Sequence, residues 1–225
     1  MDEGYQFGLG AFETIAVEDN HPVFLTWHIE RLEKAMKFLN FFHEEITEQT
    51  IRYLQKNPIA HGALKILVSR ENINFLKREN PYTKEQYQRG FCIDFSEVRR
   101  NETSPLVCYK TMNYGDCILE KRRAARDGLD EVIFLNMKGE ISEGTATNIF
   151  FVRKGEVYTP KQSCGLLPGI MRRYVIETVP TKETVILPEY LSEFEECFVT
   201  NSLLGMMHVR TIGKWKSKER KMAER

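Results

Sequence analysis

Two residues of this chain combine types and surroundings that suit covalent and acid–base chemistry. Lys110 follows the apolar letters LVCY, and Glu143 lies within GEISEGTATNIFF. Most lysines are solvated charges. An amine that emerges from a core is desolvated, which lowers its pKa and makes it a nucleophile toward an aldehyde. The small residues that follow Glu143 would let a flat ligand approach the backbone closely.

Three further segments carry groups that can bind an anion such as phosphate. Pro168 and Gly169 precede a predicted helix in GLLPGIMRRYVIE, and free N–H groups at a helix N-terminus attract phosphate. Asn201 and Ser202 in VTNSLLG offer polar donors or ordinary turn capping. Arg31 lies early in another predicted helix. An amine, a carboxylate and such anion-binding segments are together what a pyridoxal phosphate site requires.

The first hundred residues predict strands and helices that position Arg31. A hairpin is predicted over AFETIAVED and HPVFL, and an amphipathic helix over TWHIERLEKAMKFLNF with Thr26 as its N-cap. The strand-like ALKILVSR is followed by ENINFLKRENPYTKEQYQRG. Because that segment is polar, it predicts a loop.

The second half predicts strands with helices packed on them. RRNETSP predicts a linker. A strand is predicted after it, through Tyr109 and up to the candidate lysine. Helices are predicted over CILEKRRAARDG and PGIMRRYVIETV. Because strands and helices do not alternate strictly, the pattern indicates an α+β fold. We expect two domains, residues 1–104 and 105–225.

The composition argues against several partners. Lys plus Arg and Asp plus Glu number 32 each, so no global field recruits nucleic acid or an anionic membrane. The five cysteines have no zinc-binding spacing and are typical of reduced thiols in a cytosolic protein. No apolar run is long enough to span a bilayer. We therefore expect a cytoplasmic protein that acts on a small molecule, without a metal, nucleic-acid or membrane partner.

Taken in order, seven motifs resemble the fold-type IV pyridoxal-phosphate enzymes, which include branched-chain and D-amino-acid aminotransferases and 4-amino-4-deoxychorismate lyase. The motifs are FGLGAFETI, HIERL, ALKILVSR, YKTMNY, DEVIFLNMKGEISEGTATNIFFV, LLPGIMRR and FVTNSLLG. Each motif alone is weak, but their order along nearly the whole chain is specific. The resemblance implies a small N-terminal α/β domain, a larger C-terminal mixed-sheet domain, pyridoxal 5'-phosphate between them, and a homodimer.

The resemblance also implies a role for each candidate residue. Lys110 resembles the catalytic lysine that binds the cofactor covalently, and Glu143 resembles the partner of the pyridine nitrogen. Arg31 corresponds to the phosphate arginine. The other positions that contact the cofactor's phosphate, ring or ring oxygen in the family correspond here to Tyr114, Ile170, Met171, Asn201 and Ser202.

The activity expected within the family is that of 4-amino-4-deoxychorismate lyase, because TNSLLGMM is similar to a stretch typical of the lyases. That reaction eliminates pyruvate and leaves 4-aminobenzoate for folate biosynthesis. The alternative is a D-amino-acid or branched-chain aminotransferase that transfers an amino group to a 2-oxo acid. A third hypothesis is a cofactor-binding homologue without turnover.

The residues that bind the substrate's carboxylate stay open at this point. Many lyases carry a glycine-rich, arginine-containing stretch after the letters SR, where this chain has ENINFLKREN. Carboxylate recognition would then fall to another cation. The candidates are Lys65, Arg70, Lys77 and Arg78.

Overall fold

The computed structural model describes residues 2–218 and 220–222 of the 225-residue chain. The contacts divide it into two compact units. Unit 1 comprises Met1–Pro81 and Tyr109–Tyr114, and unit 2 comprises Tyr82–Cys108 and Gly115–Arg225. The expected boundary between residues 104 and 105 therefore lies inside unit 2, and the candidate Lys110 belongs to unit 1. Over the described ranges, no helix has the length and apolar character needed to cross a bilayer.

Unit 1 is an antiparallel sheet covered on one face by helices. Its strands lie in the order β2-β1-β3-β4. Their bounds are Gly10–Glu18 for β1, His21–Pro22 for β2, His61–Ser69 for β3 and Ile73–Arg78 for β4. The helices are α1 (Glu3–Phe7), α2 (Leu25–Phe38) and α3 (Ile46–Lys56). The predicted hairpin and the helix that carries Arg31 are thus confirmed.

The core of unit 1 forms because one face of each element is apolar. Ala11, Ile15 and Val17 alternate along β1 and pack in one cluster with Leu32 and Met36 of α2. This alternation turns one face of the strand toward the helices and the other away from them. The prediction that Thr26 is the N-cap of α2 is wrong. Helix α2 begins one residue before Thr26, and the cap is Phe24 with a φ of 53° and no side-chain capping bond.

The predicted strand through Tyr109 is wrong. Pro105–Cys108 form a short 3₁₀ helix, because proline fixes φ near the helical value and has no N–H to donate to a sheet. The chain then runs along β1 instead. The N–H of Phe12 donates to the Lys110 carbonyl at 2.9 Å, and the N–H of Met112 donates to the Gly10 carbonyl at 2.8 Å. These bonds place Lys110 in unit 1.

The predicted loop over residues 71–90 is also wrong, because it contains β4 and a helix. Strand β4 is the sheet's edge and is largely exposed, so it lacks the apolar signal of a buried strand. Helix α4 (Lys84–Arg89) buries none of its residues. A capping box between Thr83 and Gln86 starts it.

Unit 2 is built on a mixed nine-stranded sheet. Eight strands lie in the order β10-β9-β8-β11-β12-β5-β6-β7, and β13 pairs with β12. The pairs β5 with β6, β5 with β12 and β9 with β10 are parallel. The bounds are Phe91–Arg100 (β5), Glu131–Asn136 (β6), Ile141–Gly144 (β7), Asn148–Arg153 (β8), Glu156–Pro160 (β9), Thr181–Thr184 (β10), Glu196–Asn201 (β11), Gly205–Ile212 (β12) and Trp215–Lys216 (β13).

Two helices in unit 2 match the predicted ones. Helix α5 covers Gly115–Arg126, and helix α6 covers Ile170–Thr178. Val175 of α6 packs in one cluster with Phe150 and Phe198 of the sheet. A separate and larger cluster gathers the apolar side chains of the other sheet face. The sheet is therefore buried on both faces, which agrees with the almost continuous apolar runs of β6 and β8.

Candidate functional site

The candidate lysine in unit 1 lies among aromatic rings. The Lys110 nitrogen is 4.4 Å from the centre of the Phe12 ring and 5.3 Å from the centre of the Tyr114 ring. Those two rings meet edge to face, with centres 5.2 Å apart and planes at 81°. The bonds between β1 and residues 110–112 bring Phe12 to this position. The structure thus places Lys110 and Tyr114 together, in a half-buried aromatic setting.

Arg31 forms a buried network with two residues that the sequence analysis did not single out. Its Nε and Nη2 atoms donate to the two carboxylate oxygens of Glu13, each at 2.7 Å. His28 Nδ1 lies 2.7 Å from the same carboxylate. Glu13 and His28 are fully buried. Because a guanidinium has five N–H donors, the bidentate pair with Glu13 uses two of them.

The protonation of this network follows from burial and charge. Burial would raise the pKa of the Glu13 carboxyl, but the Arg31 guanidinium and His28 outweigh it and lower that pKa to about 2. Burial lowers the pKa of His28 despite the adjacent carboxylate. At neutral pH a neutral His28 therefore donates its Nδ1–H to an ionised Glu13. A signal for Glu13 was present, since it is a carboxylate on the apolar face of β1.

Glu143 in unit 2 has both carboxylate oxygens fixed. Arg100 Nη2 donates to Oε1 at 2.7 Å, and the N–H of Leu167 donates to Oε2 at 3.0 Å. The Glu143 side chain is 6% exposed. Arg100 is held in turn by the Phe134 ring, 4.8 Å from the guanidinium carbon. The sequence analysis missed Arg100, because 43 residues separate it from its partner.

The small residues after Glu143 form a turn held by a second buried carboxylate. Glu131 accepts a bond from the Thr145 hydroxyl at 2.6 Å and from the Thr145 N–H at 3.2 Å. The Ala146 N–H donates to the other oxygen at 3.3 Å. A Cβ on Gly144 would lie 2.1 Å from the Thr147 hydroxyl, so this position requires glycine. Glu131 was not predicted, because a glutamate at a strand start carries no special pattern.

The start of α6 suits an anion. Its N-cap is Gly169, which supplies no side-chain capping bond to the first N–H groups of Ile170 and Met171. A Cβ at Gly169 would lie 2.0 Å from Asn148 Oδ1, so a side chain there would collide with its neighbour. Asn148 pairs across the sheet with Thr200. The residues of this end of unit 2 therefore fit a phosphate group, which accepts hydrogen bonds from such N–H groups.

A buried hydroxyl in the same part of unit 2 supports this fit. Thr200 is 1% exposed, and its Oγ1 has no hydrogen-bond partner among the described residues. A buried polar atom without a partner is costly, so it commonly marks a place where a ligand or water belongs.

The predicted ligand Asn201 serves the turn after β11. Its side-chain oxygen accepts the N–H groups of Leu203 and Leu204, each at 2.9 Å, and its amide donates to the Tyr82 hydroxyl at 2.8 Å. Burial raises the pKa of Tyr82 to about 12, so the hydroxyl stays protonated. Ser202 lies half-buried in the same turn. The turn-capping alternative weighed for Asn201 is therefore realised in the structure.

The cysteines and acidic residues do not form a metal centre in the part of the chain with described positions. All five cysteines are free thiols. No group of three or more histidine, cysteine, aspartate or glutamate side chains, over those same residues, is arranged to hold a metal ion.

The mixed sheet and its helices match solved enzymes of the fold-type IV class. A Legionella pneumophila structure, provisionally assigned as 4-amino-4-deoxychorismate lyase, superposes with a TM-score of 0.88 and is 26% identical. The match covers 100% of this chain and 91% of that structure. The α+β architecture expected from the sequence is thereby confirmed.

Sequence comparison leads to the family itself. The family described as amino-transferase class IV matches residues 10–212. Aminodeoxychorismate lyase of Bacillus subtilis is 30% identical over 92% of this chain and 78% of its own length. D-alanine aminotransferase of Staphylococcus epidermidis is 26% identical over 94% of this chain and 82% of its own length. The chain belongs to the class IV amino-transferase family, whose members are pyridoxal-phosphate-dependent enzymes.

Proposed function

We propose that this protein is a pyridoxal-phosphate-dependent lyase that converts 4-amino-4-deoxychorismate to 4-aminobenzoate and pyruvate. The observation that carries this choice is the similarity to the Bacillus subtilis lyase over 92% of the chain. The turn held by Asn201 supports it, because the letters NSLLG resemble the lyase stretch and Asn201 binds the N–H groups of that turn.

Lys110 is the residue to which we assign the covalent bond with the cofactor. Its amine lies beside Phe12 and Tyr114, and these rings limit its exposure to water. Lys110 would also act as the base that takes a proton from the substrate carbon bearing the amine. We assign to Tyr114 the hydrogen bond to the cofactor's ring oxygen.

Glu143 is assigned to the pyridine nitrogen. When bound, pyridoxal phosphate supplies an electron sink for the bond that breaks. An ionised carboxylate keeps a proton on the ring nitrogen, which is the state that accepts electrons best. Arg100 and the Leu167 N–H hold Glu143 in one orientation, so its position does not depend on the ligand.

Three sets of donors are assigned to the phosphate. Arg31 supplies a guanidinium that Glu13 orients through two bonds. The N–H groups of Ile170 and Met171, at the start of α6, are further donors. For the turn after β11, the backbone and Ser202 are the better donors, because the Asn201 side-chain amide already donates to the Tyr82 hydroxyl.

The test is a product assay with the cofactor-loaded protein. Incubation with 4-amino-4-deoxychorismate should release 4-aminobenzoate and pyruvate in equal amounts. Amino transfer to 2-oxoglutarate without an aromatic product would replace the lyase by the second candidate, an aminotransferase, which the similarity to D-alanine aminotransferase favours. Cofactor binding with neither reaction would favour the homologue without turnover.

The biological setting is part of the same proposal. A lyase that makes 4-aminobenzoate would serve folate biosynthesis in the cytoplasm. We also propose a homodimer, which light scattering in solution would test. A mass of one chain, 26.4 kDa, would contradict it.

A further inference from the structure

Every residue of the turn after β7 donates a hydrogen bond to the Glu131 carboxylate. The hydroxyl and the N–H of Thr145 meet Oε1 at 2.6 and 3.2 Å. The Ala146 N–H and the Thr147 hydroxyl meet Oε2, each at 3.3 Å. The N–H of Val132 adds a bond to Oε1 at 3.0 Å. Several donors thus converge on one carboxylate that is fully buried.

The strand register brings this carboxylate to the turn. Strands β6 and β7 are antiparallel, and Ile133 of β6 pairs with Gly144 of β7. In an antiparallel pair, the residues before Ile133 lie beside the residues after Gly144. The approach is close, because a Cβ on Gly144 would lie 3.2 Å from the Cγ and Cδ atoms of Glu131. Pairing between distant segments, rather than a local pattern, therefore places Glu131 under the turn.

The turn needs an acceptor at this position, and a carboxylate is the side chain that supplies only acceptors. A glutamine would replace one carboxylate oxygen by an NH₂ group, which donates. The hydroxyls of Thr145 and Thr147 could rotate and accept from it, but a backbone N–H could not. An amide nitrogen in place of Oε2 would lose the Ala146 N–H bond. The shape of the turn therefore depends on the carboxylate itself.

A chain of bonds leads from this turn back to the Glu143 side chain. The turn begins after Gly144 and ends at Asn148, the first residue of β8. The side-chain amide of Asn148 donates to the Leu167 carbonyl at 2.9 Å. The N–H of Leu167 donates in turn to Glu143 Oε2 at 3.0 Å. A displaced turn would therefore displace one of the two groups that hold the Glu143 carboxylate.

Glu120 is a buried carboxylate of unit 2 with different partners. It lies on α5 and accepts hydrogen bonds from the Ser96 hydroxyl and from the Arg123 guanidinium. These bonds join α5 to β5 and to its own next turn. Glu131 has a cation only at 4.0 Å, Lys121, and takes its bonds from the turn instead. Glu120 is therefore a matched control for a buried carboxylate with a purely structural role.

We propose that Glu131 is a positioning residue for the reaction. Through the turn and Leu167, it holds Glu143 where that carboxylate keeps a proton on the ring nitrogen of the bound cofactor. The inference rests on the proposed function in one respect, namely that Glu143 contacts the pyridine nitrogen. It does not depend on the choice between lyase and aminotransferase, because both need the protonated ring.

The test measures the proton affinity of the ring nitrogen without turnover. The protein is loaded with pyridoxal phosphate that carries an isotope label at this nitrogen, and nitrogen NMR spectra are recorded as a function of pH. Glu131→Gln should lower the proton affinity about tenfold, the change typical of one weakened charge-assisted hydrogen bond. Glu143→Gln should lower it further. The double variant should match Glu143→Gln, because Glu131 acts through Glu143. Glu120→Gln should match the wild type.

Three outcomes would overturn the positioning role. These are a wild-type proton affinity in Glu131→Gln, an equal loss in Glu120→Gln, or a further loss when Glu131→Gln is added to Glu143→Gln. If Glu131→Gln does not fold, Thr145→Val replaces it, because this variant keeps the carboxylate and removes the bond of 2.6 Å. It should show a smaller loss in the same direction, and an unchanged affinity would overturn the proposal.

The same measurement separates this proposal from the proposed function. A wild-type proton affinity in Glu143→Gln would refute the assignment of Glu143 to the ring nitrogen, and the role of Glu131 with it. A loss in Glu143→Gln without a loss in Glu131→Gln would refute the role of Glu131 alone. Because the readout is a proton equilibrium, a protein that shows both losses but fails the lyase assay would refute only the lyase function.

Discussion

Replacement of Arg100 by methionine tests the ion pair that orients Glu143. The two side chains meet at 2.7 Å and are 19% and 6% exposed. With an effective dielectric constant of about 20 and charges about 4 Å apart, their attraction is about 4 kcal/mol. Truncating one partner of a buried pair costs about 3–5 kcal/mol, because the other charge stays buried. We expect Arg100→Met to lower the free energy of unfolding by about 3 kcal/mol.

The measurement is urea unfolding of the cofactor-free protein, followed by circular dichroism. Arg99→Met is the matched control, because Arg99 is the adjacent residue on β5 and is exposed. It should change the free energy of unfolding by less than about 0.5 kcal/mol. Combining Arg100→Met with Glu143→Gln should restore part of the lost stability, because the unpaired charge is then gone.

Two results would refute the role of the ion pair between Arg100 and Glu143. If Arg100→Met is as stable as Arg99→Met, the ion pair does not hold Glu143 in place. If the double variant is less stable than Arg100→Met by the full cost of Glu143→Gln alone, the two residues act independently. Either result would remove Arg100 from the account of how Glu143 is positioned.

Three further predictions follow from single residues. Lys110→Ala should abolish the visible absorbance of the bound cofactor, and an unchanged spectrum would refute the covalent role of this lysine. Glu13 has a pKa lowered to about 2, so its stabilisation is complete above the unfolded-state pKa and is lost as the pH falls from about 4.5 toward 2. The free energy of unfolding, measured as a function of pH, should fall by up to about 3 kcal/mol in this range. Glu13→Gln should make this pH dependence weaker. If the variant's curve runs parallel to that of the wild type, the low pKa of Glu13 is contradicted. Thr200→Val should leave the thermal stability of the cofactor-free protein equal or higher, since the buried hydroxyl forms no bond to the described residues. A fall in melting temperature of several degrees would show that the hydroxyl has a structural partner.

Much of the fold could be predicted where apolar spacing is strong. Helices α2, α5 and α6 were recognised because each buries one side of a regular pattern. Strand β4 and helix α4 were missed, because both are largely exposed and form through backbone pairing and a capping box rather than burial. The segment before Lys110 was mistaken for a strand, because a short apolar run does not distinguish the two conformations.

The candidate site was predicted only in part, for a related reason. Lys110, Glu143 and Arg31 could be proposed from their own surroundings and from the order of the motifs. Arg100 could not, because its partner Glu143 is 43 residues away. Glu13 was missed although its place on the apolar face of β1 was a signal, because its partner Arg31 is 18 residues away. Only the folded chain brings such pairs into contact.

By itself, the sequence determined the α+β pattern, the family and the types of group available for chemistry, because periodicity and motif order are properties of the chain alone. The tertiary structure decided which of these groups meet. It placed Lys65 rather than Lys77 beside Phe12. Lys77 pairs with Leu64, and successive residues along a strand such as Leu64 and Lys65 face opposite sides of the sheet. The tertiary structure also pairs residues 110–112 with β1 through backbone hydrogen bonds. No local sequence pattern predicts these bonds.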